Sequence, residues 1–212
     1  MRLRRKIKDY SNVPLTHNVV MEALASYGRP NDKISEMIKG SELIALRRGL
    51  YVPGPELDLP LPHHFLIANH LRGPSYVSLE SALSYWGLIP ERVYEISSVT
   101  TKTTKTYETA IGRFSYQHLT TPYYSFGIQS VQLTEMQTAM VASPEKALCD
   151  KIILTSGVLL RSIPQTWDFL LEDLRLDEDI LRRFDIATIQ SWIEDAPKKN
   201  SLQMLVKTLE RL

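Results

Sequence analysis

Apolar residues recur along the first fifty positions in short, one-sided stripes. Val19, Val20, Ala23 and Leu24 fall at i, i+1, i+4 and i+5, one face of a helix, with Thr16 where an N-cap belongs. Gly28 predicts its stop, and Pro30-Asn31 a turn. A second helix is expected from Asp32 to Lys39. Its inward set is Ile34, Met37 and Ile38, its outward set Lys33, Ser35, Glu36 and Lys39, and Gly40 ends it. Leu43–Leu46 and Leu50–Val52 then read as two strands joined at Arg47-Arg48-Gly49, where glycine supplies the positive φ of a tight turn. Helix, turn, helix and a β-hairpin with a basic tip is the order of a winged helix-turn-helix.

The pattern changes after Val52. Residues 53–62 contain four prolines and show neither helical nor strand period, which predicts a stiff linker. The expected division is residues 1–55 as the first module, 56–62 as linker, and 63–212 as a second, mixed α/β domain. In the latter, helices are predicted from His63 to Leu71 and from a cap at Ser78 to Trp86. Strands are expected at Tyr94–Val99, Tyr107–Gln117 and Gly127–Leu133, the last forming a hairpin with Gln137–Ala142. Ser143-Pro144-Glu145 is a helix start, with a cap, a proline at the first helical position and an early carboxylate. From Gln165 the chain reads as helix to its end. The fold class is therefore α+β, an N-terminal winged helix-turn-helix followed by a mixed α/β domain with a helical tail.

Charge sharpens this picture. Net charge is +1, but residues 1–55 hold ten Lys/Arg against five Asp/Glu, while residues 161–212 hold eight against ten. A basic end of this kind suits a polyanion. Arg2, Arg4, Arg5 and Lys6 crowd the start, where Leu3 and Ile7 are spaced for a short helix. No apolar stretch follows them, so no secretory signal is expected, and no apolar run nears the roughly 18 residues of a membrane span. A cytoplasmic protein is the expectation.

Candidate chemistry is sparse. The single cysteine, Cys149, excludes an intrachain disulfide and reads as a buried structural thiol. His63, His64 and His70 lack a nearby carboxylate or cysteine to complete a metal set. Neither GxxxxGK[ST] nor GxGxxG occurs. Asp177-Glu178-Asp179 reads as helix N-terminal charge, and Glu145 and Asp150, five apart on one helix, do not converge. No enzyme, cofactor or metal is expected.

The basic first module carries the functional signal. In a winged helix-turn-helix the second helix enters the major groove while the wing meets the backbone or minor groove. Asn31, Lys33, Ser35 and Lys39 are the candidate contacts on that helix, with Asn31 suited to an adenine edge and Lys33 to guanine or phosphate. Arg47 and Arg48 suit phosphates at the wing, and Arg2, Arg4, Arg5 and Lys6 add non-specific phosphate affinity. A second small basic feature lies at Thr100–Thr106, with Lys102 and Lys105; it reads as a solvated hairpin tip or as an extension of a nucleic-acid surface.

Three segments, in order, resemble one family. Asp32–Lys39 followed by Gly49-Leu50-Tyr51-Val52 is similar to the N-terminal winged helix of AbiEi-type antitoxins. Tyr76–Glu91 resembles the start of their C-terminal domain, and Ser143–Lys151 a later block of it. The resemblance spans about residues 16–155. It implies a regulator that binds and represses the promoter of its own operon, as a dimer or cooperatively on inverted repeats. It also implies that the C-terminal domain counters a nucleotidyltransferase toxin of a type IV toxin–antitoxin system, linked to abortive infection and phage defence, without a stable complex. No catalytic residue is carried over. The alternative is a protein-interaction module that binds a partner through residues 63–212, without specific DNA binding.

Overall fold

The computed structural model describes residues 7–91 and 93–212, which form a mixed α+β fold. The expectation for Arg2, Arg4, Arg5 and Lys6 falls outside these residues. No helix among the described residues is long and apolar enough to cross a membrane.

A small N-terminal module opens with a two-residue strand, β1 (Leu15–Thr16), and helix α1 (His17–Ala23), capped by Thr16, whose hydroxyl accepts from the Val19 amide. The helix ends at Ala23, before Gly28: the Leu24 amide still bonds to the Val20 carbonyl, but the Ala25 amide turns to the Glu22 carbonyl three residues back. Helix α2 (Pro30–Lys39) starts two residues earlier than the pattern predicts, with Pro30 at its first turn, where a missing N–H costs nothing. Ser41 then takes a left-handed conformation (φ 56°), and the Ser41 and Glu42 amides bond back to Ile38 and Met37 carbonyls, closing the helix end. Strands β2 (Leu43–Arg47) and β3 (Leu50–Pro53) form the hairpin, and β1 adds to the far side of β3, giving the order β1-β3-β2. Ile7, Leu15, Val20, Leu24, Ile34 and Met37 pack together beneath this sheet.

The larger module is built on a six-stranded sheet. Its strands are β4 (Ser75–Val77), β5 (Glu95–Thr100), β6 (Lys105–Thr109), β7 (Gly112–His118), β8 (Ile128–Thr134) and β9 (Gln137–Ala142), in the order β6-β7-β5-β4-β9-β8. The β5–β7 and β4–β9 pairs are parallel, the others antiparallel. The stretch expected as one strand, Tyr107–Gln117, turns back on itself at residues 110–111 and supplies parts of β6 and β7. Helices α3 (His64–Leu71), α4 (Leu79–Tyr85) and α5 (Pro144–Leu154) pack against the sheet. The tail is divided rather than continuous: α6 (Ile163–Asp168) runs into a wider turn (Phe169–Asp173), followed by α7 (Glu178–Leu181), α8 (Ile186–Trp192) and α9 (Lys199–Leu209). Asp177 and Asp185 each cap a new helix, which accounts for the breaks.

The two modules share the hairpin. Every residue of β3 is buried. Alternation along the strand sends Leu50 and Val52, with Leu46 from β2, into the large core, while Tyr51 and Leu43 enter the small one. The segment expected as a stiff linker or domain edge packs against both modules. Residues Pro55–Leu57 form a single 3-10 turn, Leu57 is buried in the small core, and the His63 amide bonds to the Gln137 side chain at 2.8 Å.

His63 gives the fold a pH dependence. Its Nδ1 accepts from the Phe65 amide at 3.2 Å and caps α3, a role open only to the neutral ring. Partial burial, with the neighbouring His64 charge, holds the His63 pKa below its ordinary value, and burial does the same for His70. A histidine with a lowered folded pKa contributes stability that is present above about pH 6.5 and lost as pH falls through the folded value. Acidification from about pH 7 to 5 is expected to lower the melting temperature through this group. His63→Asn, which keeps a cap without titrating, should flatten that dependence in a pH series of thermal melts.

Candidate nucleic-acid interface

Helix α2 turns Ile34 and Met37 inward, 4% and 0% exposed, and presents Asn31, Asp32, Ser35, Glu36 and Lys39 to solvent. The outward face is largely self-neutralised. Lys33 Nζ lies 2.9 Å from Glu36 Oε2, and Arg29 lies 3.8 Å from Asp32. The hydrogen bond between Lys33 and Glu36 raises the lysine pKa and lowers that of the glutamate. Ser35 donates its hydroxyl to the Asn31 carbonyl at 3.1 Å, so it is engaged within its own helix. The Asn31 and Lys39 side chains make no hydrogen bond or ion pair among the described residues.

The hairpin treats its two arginines differently. Arg47, expected in the turn, is the last residue of β2 and pairs opposite Leu50 across a register irregularity. The turn itself is Arg48-Gly49, with Gly49 at φ 78° and its carbonyl accepting from the His17 amide at 2.9 Å. Arg47 Nε donates to the Leu71 carbonyl at 3.0 Å and Nη1 to the Arg48 carbonyl at 3.2 Å. Leu71 closes α3, whose last carbonyls lack helical partners and favour a cation. Both arginines are exposed, but Arg47 is bound to protein, whereas the Arg48 side chain has no hydrogen bond or ion pair among the described residues.

The loop between β5 and β6 reaches the same end of α3. Lys102 Nζ donates to the Gly73 carbonyl. Arg72 Nη2 donates to the Thr103 carbonyl at 2.6 Å and to its hydroxyl at 2.9 Å, and Nη1 to the Tyr107 hydroxyl at 3.4 Å. Lys105 Nζ stands 4.7 Å from the centre of the Tyr107 ring. Arg47 and Lys102 therefore meet Arg72 at residues 71–73, with Arg48 next to Arg47 in the chain and Lys105 over the Tyr107 ring that Arg72 also bonds. The three segments that meet there, residues 43–53, 59–79 and 96–107, contain no Asp or Glu. None of these five cations is in an ion pair among the described residues, unlike Lys33 and Arg29 on the α2 face. Lys102 and Lys105 stood apart from the hairpin arginines in the sequence, and Arg72 carried no signal beyond the acid-free run around it.

The other candidate groups have structural roles or none. His63 caps α3, and His64 stacks against Phe114 with ring centroids 6.3 Å apart. Among the described residues, no three His, Cys, Asp or Glu side chains stand close enough to hold a metal ion. Cys149 is fully buried, and burial pushes its thiol pKa far up, the opposite of an activated nucleophile. Asp150 and Lys146 form a 3.0 Å ion pair with neither side chain exposed, sealed from any substrate. Compared with protein-family models and with curated proteins, the chain matches none.

Proposed function

We propose that the chain is a DNA-binding autoregulator and antitoxin of the AbiEi type, whose first module acts as a winged helix-turn-helix. The observation that carries the DNA half is the set of exposed cations Arg48, Lys102 and Lys105 beside the hairpin and the end of α3, none of them in an ion pair among the described residues. Polyanion affinity scales with the number of phosphates met by such cations. In this reading α2 enters the major groove, where Asn31 faces a base edge and Lys39 a phosphate. Lys33 reaches DNA by leaving Glu36, an exchange that is inexpensive because exposed ion pairs of this kind contribute little. Ser35 contributes only by rotating away from Asn31. Arg48 meets the backbone at the wing, and Arg2, Arg4, Arg5 and Lys6 add basic charge. The antitoxin half, opposing a nucleotidyltransferase toxin without a stable complex, is supported by the resemblance of Tyr76–Glu91 and Ser143–Lys151 to that family.

One observation favours the second reading, a protein-interaction module: the neutralised pairs on α2 make a weakly basic helix face. A reporter driven by the DNA upstream of the gene separates the two. The proposal expects repression by the full chain, relieved by Arg48→Ala with Lys39→Ala, and rescue of growth when the adjacent toxin is co-expressed. An unrepressed reporter together with stable co-purification of the adjacent gene product would establish the interaction module instead.

A further inference from the structure

The Arg47 guanidinium joins the hairpin to the end of α3, where two further cations, both of the large module, make their own backbone bonds. Arg47 reaches in from the hairpin to the Leu71 carbonyl, Lys102 from the β5–β6 loop to the Gly73 carbonyl, and Arg72 reaches out to Thr103. The same Arg47 guanidinium holds the Arg48 carbonyl, and so fixes the residue next in line. We infer that Arg47 is a positioning residue that locks the hairpin turn onto the end of α3, holding Arg48 as a phosphate contact beside the Lys102–Lys105 loop, and is not itself a phosphate contact.

The geometry requires a guanidinium. Two nitrogens of one planar group, Nε and Nη1, serve two carbonyls on different modules, a fork that a lysine ammonium on a flexible stem does not reproduce. Packing of Leu46, Leu50 and Val52 holds the strands of the hairpin in the large core, but the Arg48-Gly49 turn projects beyond those side chains and is exposed or half-buried. Beyond the Arg47–Leu50 pairing that closes the hairpin, the turn is held by the bonds from Arg47 and the bond from His17 to Gly49.

Because the inference rests on the DNA-binding reading, its test has two independent readouts. The first is fluorescence anisotropy of the full chain with labelled upstream duplex across a salt series, for the wild type, Arg47→Lys, Arg47→Ala, Arg48→Lys and Arg48→Ala. Arg48→Ala should lower the salt slope by about 0.9, one phosphate contact, while Arg48→Lys keeps it. Arg47→Lys and Arg47→Ala should weaken binding alike, by roughly tenfold, with the slope unchanged. Wild-type affinity in Arg47→Lys, with a shallower slope in Arg47→Ala, would make Arg47 a phosphate contact and overturn the inference. The second readout needs no DNA. Amide hydrogen exchange at residues 47–51 should quicken in Arg47→Lys while the β5–β7 pairing stays protected. Unchanged exchange there would also overturn the lock. A wild type without preference for the upstream duplex would instead defeat the DNA-binding reading, leaving the exchange result to judge the lock alone.

Discussion

Lys146→Met should destabilise the protein by about 3–5 kcal/mol, since removing one partner of a buried ion pair leaves the other charge uncompensated. Lys146 donates to the Tyr123 carbonyl at 2.9 Å, lies against the Tyr123 ring, and pairs with Asp150 one helical turn on. Asp150 in turn accepts from the Tyr76 hydroxyl at 2.9 Å and the Ser78 hydroxyl at 2.7 Å. The cluster therefore ties α5 to β4 and to the start of α4. Ser78 shows the competition directly: it occupies the N-cap position of α4 but makes no capping bond, and its hydroxyl serves Asp150. In urea the midpoint should fall with the m-value unchanged, and the melting temperature should drop by roughly 6–20 °C.

The sign of the pH dependence follows from burial. Desolvation already holds the Asp150 carboxyl above its ordinary range, opposed by Lys146 and by the hydrogen bonds from Ser78 and Tyr76. Without Lys146 the carboxyl rises further. A carboxyl raised in the folded state contributes stability fully present below its unfolded pKa, near 4, and lost as pH rises through the folded value. Lys146→Met is therefore expected to be more destabilised at pH 8 than at pH 5. Equal destabilisation at both would mean that Asp150 stays ionised throughout.

Gly54→Ala should cost about 3 kcal/mol for a different reason. A Cβ there would stand 2.1 Å from the Ser41 carbonyl oxygen and 2.9 Å from the Glu42 carbonyl carbon, both main-chain atoms with nowhere to go. Gly54 donates to the Glu42 carbonyl at 2.7 Å, and Glu56 to that of Ser41 at 3.2 Å, so this approach seats the chain leaving β3 against the end of α2. The loss should be local. Hydrogen exchange is expected to quicken across α2 and residues 54–57 before the six-stranded sheet is affected, and DNA binding should weaken with the displaced helix. Uniform loss of protection across both modules would show that the two unfold as one unit.

The features legible in the sequence are those written locally. Thr16 and Ser143 cap their helices as the pattern predicts, because a cap is a bond between a side chain and an amide three residues on. The β8–β9 hairpin and the buried Cys149 were legible for the same kind of reason. Strand β4 was not: three residues long, it is defined by distant partners, residues 98–100 of β5 and Val141 of β9, sixty-four positions from Val77. The turn at residues 110–111 lacks proline or an Asn-Gly pair, so only Gly112 marks it. Within the candidate interface, residue type identified Arg47 and Arg48 but could not separate them. What separates them is the Leu71 carbonyl, 24 positions on. The basic surface itself exists only because folding brings three acid-free segments to one helix end.

The central claim, that this surface and α2 bind DNA, is tested most directly by a salt-titrated gel shift with the full chain. The probe is the duplex upstream of the gene, against a scrambled control. Point variants serve better than removal of residues 1–55, because Leu46, Leu50 and Val52 belong to the large core. The account predicts preferential binding that weakens steeply with salt, losing roughly 0.9 log units of affinity per phosphate contact for each log unit of salt. It also predicts a shallower slope for Arg48→Ala and for Lys102→Gln with Lys105→Gln. Equal, weak binding to both duplexes, untouched by these variants, would contradict it.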